Sequence, residues 1–378
     1  MDHKRNNGRV KKALRALFLL CAAAVVSGCQ TWSYYTQAVK GQYQILAHQQ
    51  PVDRLIADPQ TSARLKAQLE LLQKLRHFAQ IELKLPVDGH YRKYADVHRP
   101  YVVWNVQAAP QFSLQPKTWW YPFVGSLEYH GYFSECGARE RGRRLQAKGW
   151  DVCVDGVEAY STLGWFKDPV LNTFVDRPEP ELAEVIFHEL GHQRVFASGD
   201  TDFNEAFATT VGQAGARRWL RATGNTNLLD RYDASLRRND QFVRLMMNAR
   251  GRLEAIYGDT LDEQGKVKAA KKPPAAPERL RTEKERVFGD LRRDYAELKS
   301  QWGGGSAYDD WFTHELNNAR LNTIANYYDE MPGFEQLLRL NGGDLEKFYQ
   351  TVERLSKMKQ AKRHQWLRDL SQGGTRRP

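Results

Sequence analysis

Apolar positions along this chain recur mostly at helical spacing, interrupted by one stretch in the first half that reads as strand. Over 62–83, Leu65, Leu69, Leu72 and Leu75 fall three or four apart and mark one buried helical face. A helix over 34–47 precedes it, and Pro51 separates the two. Residues 95–133 change character. Tyr101-Val102-Val103-Trp104-Asn105-Val106 and 119–127 are short aromatic and β-branched runs broken by Pro110, Pro116 and Pro122, the pattern of a small sheet. Ser134–Lys148 reads as a helix capped by Ser134 and ended by Gly149, and Asp151–Leu163 returns as a strand. Next comes 181–219, where Leu182, Val185, Ile186 and Leu190 share a face and Phe187, Val195 and Phe196 widen it. Pro180 suits a first turn, Glu179 and Glu181 place negative charge at the positive end of the dipole, and Gly199 supplies the stop. Helices are expected over 233–257, 278–302, 311–328 and 344–359. The Lys/Ala/Pro-rich stretch 265–277 reads as a flexible tip, Gly303-Gly304-Gly305 as a break, and 366–378 as a disordered basic tail. The class is α+β, mostly helical, with the small sheet upstream of the helix that Gly199 ends.

Composition adds scale. At 378 residues, 41% hydrophobic and 27% charged, the chain can bury a large core. We divide it into a leader (1–28), a leader-proximal helix (29–58) and one main domain (59–365). The net charge is +11, but six basic residues against Asp2 place five of those charges in 1–28. The remaining +6 is too mild and scattered to argue for nucleic acid, although it suits weak attraction to anionic surfaces. No internal repeat, Walker loop, dinucleotide fingerprint or Gly-x-Ser-x-Gly elbow occurs.

The first 28 residues read as a targeting segment. A basic start leads into the apolar run Ala16–Val26, too short to span a bilayer. It ends Val26-Ser27-Gly28-Cys29, which resembles the bacterial lipobox, cleaved before a cysteine that takes lipid. Gln30 after that cysteine points to the outer membrane, so the expected location is its periplasmic face, anchored at Cys29 and not inserted through it. With Cys21 in the leader, Cys136 and Cys153 remain; an oxidising compartment permits a disulfide between them without requiring one.

The chemistry centres on His188-Glu189-Leu190-Gly191-His192. Two histidines four apart leave one face of a helix and can grip one metal ion; Glu189, one step round, reaches a water on that metal but not the metal itself. This is the spacing of zinc peptidases, with the glutamate as general base. Catalytic zinc usually takes three protein ligands. A histidine six residues after His192 would complete a metzincin site, but that position is Ser198. Glu205 remains: a turn at Gly199 and one turn of returning helix bring it back level with the histidines. A capping box, Asp202 with Glu205 three residues on, would also account for that glutamate without metal.

Asn204-Glu205-Ala206 after such a helix resembles the gluzincins. More closely, the chain resembles a family of bacterial lipoproteins described as predicted aminopeptidases. The matching runs are Tyr34-Tyr35-Thr36-Gln37-Ala38, Gly41-Gln42, Trp104-Asn105-Val106, Gly131-Tyr132-Phe133, 159–166, 168–173, 187–193, 200–208 and Asn317-Asn318-Ala319-Arg320-Leu321. It departs from the family at Trp120 and Ser126, where cysteines are common, and at His130, where arginine is. The resemblance implies a gluzincin-like fold and a Zn2+ site of His188, His192 and Glu205, with Glu189 catalytic. It also implies a peptide substrate cut from its free amino end. Tyr328, Tyr327, Tyr160 and His314 are candidate oxyanion donors, with Tyr328 and Tyr160 foremost. Ser161, on a substrate-facing edge strand, and Asn318 and Arg320 are candidate substrate contacts. Glu158, Asp155 and Glu135 are candidate anions for a substrate amine. The rival readings are a catalytically idle, metal-binding envelope scaffold and a zinc endopeptidase.

Overall fold

The computed structural model describes residues 36–121, 125–159, 167–262, 266–305, 308–328 and 330–372. The first half runs α1 (36–47), β1 (Gln49–Pro51), α2 (Val52–Ala57), α3 (Ala63–Ile81), β2 (Lys93–Ala95), β3 (Val103–Pro110), β4 (Trp119–Tyr121), β5 (Gly125–Leu127), β6 (His130–Tyr132), α4 (Glu135–Gln146), β7 (Trp150–Val157) and β8 (Val170–Leu171). The second half runs α5 (Glu179–Arg194), α6 (Thr201–Ala222), α7 (Thr226–Tyr257), β9 (Thr260–Leu261), β10 (Val267–Lys268), α8 (Pro277–Gln301), α9 (Asp309–Thr313), α10 (Asn318–Tyr328), α11 (Met331–Leu340), α12 (Leu345–Ser356) and α13 (Gln360–Ser371). Helix predominates and the sheets are small, so the α+β class holds. Among the described residues no helix is long and apolar enough to cross a membrane.

Caps start several helices where side chains allow it. Ser62 accepts from Leu65 N–H at 3.3 Å, Ser134 from Gly137 N–H at 3.3 Å and Asn225 from Leu228 N–H at 3.3 Å. Leu69, Leu72 and Leu75 of α3 then lie fully buried beneath α5 and α6. A second sequence region forms the antiparallel sheet β6-β3-β7, with Trp104 opposite both Tyr132 and Gly156. Trp104, Val106 and Ala108 alternate onto its buried face against Ala138 and Leu145 of α4, the period-two pattern of a half-buried strand. Helices α7, α8 and α10 build a further core around Phe242, Leu291 and Leu321.

Several boundaries differ from expectation. The helix α5 ends at Arg194, because Val195 turns extended (φ −141°), and Gly199 sits later in the return turn at φ +75°. Within 265–277, Val267 is buried and pairs with Leu261 in a two-stranded hairpin, so the stretch is not simply a flexible tip. The expected 311–328 helix is two helices, broken where His314 turns extended. The tail is helical through Ser371, because Leu367 and Leu370 find the core; residues 373–378 lie outside the described residues. Cys136 and Cys153 are both free, and the Cys153 thiol donates to Asp155 at 2.8 Å.

The C-terminal helix is held by buried charge. Asp200, fully buried at the head of α6, accepts from Arg363 Nε and His364 Nε2, each at 2.7 Å. His364 Nδ1 lies 2.8 Å from Glu330. Burial alone would lower the His364 pKa, but Asp200 and Glu330 outweigh it and raise the imidazole from 6.5 to about 9. A raised folded-state pKa stabilises fully below about 6.5 and is lost as pH climbs through about 9. The protein should therefore lose on the order of 3 kcal/mol of stability between those limits through His364 alone. Denaturation midpoints of wild type and His364→Gln across that range check this: the variant's curve should be flatter, and parallel curves would refute the assignment.

Candidate metal centre

The histidine pair exists because α5 is a regular helix through Arg194, so His188 and His192 project one turn apart from one face. Their Nε2 atoms are 3.2 Å apart, with the rings nearly perpendicular at 85°. The helix α6 returns antiparallel over them. Glu205 Oε2 lies 3.3 Å from His188 Nε2 and 3.7 Å from His192 Nε2. Ligand atoms about 2.0–2.1 Å from a tetrahedral zinc sit roughly 3.3 Å from one another. The three observed separations match the edges of that figure. Among the described residues no other group of three or more His, Cys, Asp or Glu side chains converges so.

Two features of the return turn make this possible. Asn204 grips Ala197 with both ends of its carboxamide, accepting from its N–H and donating to its C=O at 2.8 Å each. Asp200, not Asp202, is the N-cap, accepting from Phe203 N–H. Glu205 is thereby the fifth residue of α6, too deep to serve a capping box.

Close approach does the rest. A Cβ on Gly212 would lie 2.8 Å from the Glu184 carbonyl oxygen and 3.2 Å from His188 Cβ; a Cβ on Gly191 would lie 3.3 Å from Ala208 Cα. The helices can touch backbone to backbone only because these residues are small.

The electrostatics around the triad are strong. Burial pushes the Glu205 carboxyl up, but His192 and His188 overcome this and hold it far below the carboxylate range. Burial likewise lowers His188, yet the bond from Glu205 wins and raises it. Glu189 is buried with Oε2 unpartnered. Burial first raises its pKa, Glu205 and Asp168 add to the rise, and the two histidines oppose it. A carboxyl whose pKa is raised, with one oxygen unpartnered, is suited to exchange protons.

Five further residues around the triad were not anticipated. Thr209 Oγ1 lies 3.4 Å from His188 Nδ1. Tyr232 donates at 2.7 Å to Glu184, which sits one turn before His188 and feels its charge. The last two, Tyr91 and Asp168, lie close enough to Glu189 for their charges to interact. Tyr91 is buried in a left-handed backbone conformation (φ +57°), and its N–H donates to the Asp168 carbonyl at 2.8 Å. Burial, then the Glu189 and Asp168 charges, keep the Tyr91 phenol well above its usual pKa. Only the position of Glu184 on the His188 face was open to helical counting.

Other expected site residues are placed elsewhere. Asn318 is fully buried: its Nδ2 donates to the carbonyls of Pro110, Gln111 and Ser113, and its Oδ1 accepts from Tyr257 at 3.1 Å. Arg320 pairs with Asp155 at 3.1 Å and lies over Trp311. These two side chains tie α10 to the sheet; the Asn318 carboxamide is wholly engaged, whereas Arg320 also lines a cavity. The three candidate amine-binding anions are also engaged: Glu158 with Arg177, Asp155 with Arg320 and Glu135 with Arg139. His314 is exposed beside a separate cavity lined by Arg139 and Arg320. Tyr328 is the last residue of α10; its side chain and that of Tyr327, together with Tyr160, Ser161 and Cys29, lie outside the described residues.

The helix contact is testable by Gly212→Ala. The added methyl meets a backbone oxygen that cannot swing aside, so a loss of about 1–3 kcal/mol is expected. Glu205 moves with its helix, and bound zinc per chain should fall as well. Melting temperature and metal content on one preparation check both.

No curated protein and no solved structure matches the chain. A family model does, over residues 33–367. That span holds α5, the return turn and Glu205, and on this match the chain belongs to the family described as "Putative aminopeptidase".

Proposed function

We propose that the protein is a zinc-dependent aminopeptidase. The convergence of His188, His192 and Glu205 at the edge lengths of a zinc tetrahedron, with the unpaired Glu189 carboxyl beside them, carries the reading. Family membership supports peptide hydrolysis in general. A zinc ion bound there supplies Lewis acidity toward a peptide carbonyl and makes a water acidic enough to attack near neutral pH.

The chain's own residues handle the proton. Glu189 accepts it from the attacking water and returns it to the leaving amine, a shuttle that its raised pKa suits. Thr209 reaches His188 Nδ1 and orients its ring, and the Glu184 charge favours its protonated form. Tyr91 and Asp168, both buried, interact with the Glu189 charge, and Asp168 helps keep its pKa raised. Lipid anchoring at Cys29 on the periplasmic face of the outer membrane belongs to the same proposal.

Glu189→Gln keeps size and shape but cannot accept the proton. Turnover of a mixed peptide pool should fall about a hundredfold to ten-thousandfold while zinc content stays near one per chain. His188→Ala, His192→Ala and Glu205→Ala should each lose most of the zinc. Wild-type turnover in Glu189→Gln, or full zinc in Glu205→Ala, would end the assignment. For the anchor, Cys29→Ser should abolish incorporation of labelled fatty acid; unchanged labelling would remove it from the proposal.

A further inference from the structure

Away from the triad, α4 carries Arg139, Arg141, Arg143 and Arg144, Lys148 follows just past its end, and the two sides of this basic run differ. On one side Arg139 pairs with Glu135 and Arg143 with Glu140, each at 2.7 Å. On the other, Arg141, Arg144 and Lys148 fall at i, i+3 and i+7 and line a cleft of about 560 Å³ with Lys117 and Trp150. No carboxylate lines this cleft. Among the described residues only Arg144 of these four cations has an ion-pair partner, Glu140 at 2.7 Å. Arg141 Nε is buried and donates to nothing. Lys117 is held in place by aromatic faces, its Nζ 5.0 Å from the Trp150 ring and 5.6 Å from that of Trp119. The neighbouring His130 adds no charge, since burial and Arg141 lower its pKa to about 4.

A merely solvated basic face would leave its cations splayed into water. Here four line one concavity and, among the described residues, Arg144 alone has a counter-ion; Lys117 is fixed between two indoles, Arg141 keeps a buried, unsatisfied donor, and Arg144 and Lys148 stand at the exposed rim. Such a site recognises a compact oxyanion that accepts several N–H bonds at once. We infer that this cleft binds a phosphate group, and that its source is the headgroup of an anionic membrane lipid.

The source follows from where the chain enters the fold. Gln37 of α1 accepts from Phe133 N–H at 2.9 Å, and Gly41 packs against the Phe133 ring, immediately before α4. Cys29 is eight residues before Gln37, at most about 29 Å of extended chain. The twelve residues of α4 span roughly 18 Å. A surface holding Cys29 by its lipid is therefore within reach of the cleft. The choice of source rests on the proposed anchor; the phosphate chemistry does not, and neither rests on peptidase activity.

The test uses the full chain in three forms: wild type, Lys117→Gln/Arg141→Gln/Lys148→Gln in the cleft, and Lys271→Gln/Lys272→Gln/Arg279→Gln as a control. The control removes the same charge from exposed positions elsewhere. The apolar N-terminal run is common to all three and cancels. Inorganic phosphate should raise the melting temperature of wild type and control, relative to chloride at equal ionic strength, and leave the cleft variant unmoved. Affinity for phosphatidylcholine vesicles containing phosphatidylglycerol should fall about tenfold or more in the cleft variant alone, with pure phosphatidylcholine bound equally by all. A phosphate shift without vesicle discrimination would keep the phosphate site and overturn the lipid source. Cleft-dependent binding of single-stranded DNA without vesicle binding would overturn it too. Equal losses in both triple variants, or no phosphate shift in wild type, would overturn the site itself. Should the triple cleft variant melt early in chloride, Lys148→Glu, at an exposed position, is read in its place.

Discussion

The close crossing of α5 and α6 is the contact on which the convergence of His188, His192 and Glu205 depends. Gly191 against Ala208, and Gly212 against the Glu184 carbonyl and the His188 backbone, let the two helices meet without intervening side chains. Gly215 extends the contact by admitting the Phe187 ring, so the same seam belongs to the main core. Stability and ligand geometry are therefore coupled.

That crossing has to be locked at its open end, and polar groups do it. Asn204 staples the return turn through Ala197, while Asp200 joins the head of α6 to Arg363 and His364 of the C-terminal helix. Buried charges of this kind are costly unless each finds a partner, and here Asp200 has two cations and a backbone donor. The helix α13 thus anchors the element that carries Glu205, although it lies more than 150 residues away in sequence. Around Glu189 the balance is different. Its Oε2 lacks a partner and its pKa is raised, the condition a proton shuttle requires and a structural carboxylate avoids.

The basic side of α4 shows the same contrast on the surface. One flank is neutralised by glutamates at helical spacing, whereas the flank facing Lys117 and Trp150 is left cationic around a cleft. The sheet beneath it is tied to α10 by Asn317 and Asn318, so the cleft rests on a fixed platform. The metal centre and the cationic cleft are built on separate elements, α5 with α6 and α4 with β7.

What the sequence determined by itself was local. The His188/His192 pair follows from four-residue spacing on one helix, and Glu189 from its place between them. Ser62, Ser134 and Asp344 sit as caps because a short polar side chain precedes an apolar run at each point. Glu205 could be brought back by counting rise along the turn. Only the tertiary structure decided that Asp200 caps α6, since its two strongest partners come from α13, and that 366–371 is helix, since Leu367 and Leu370 are buried by distant elements. It also decided where Asn318 and Arg320 find their partners, because Pro110 and Asp155 are 208 and 165 residues away. Periodicity and capping act within one or two turns of chain and can be read from it. Which buried charge meets which partner depends on packing between remote segments, and no spacing along the sequence encodes it.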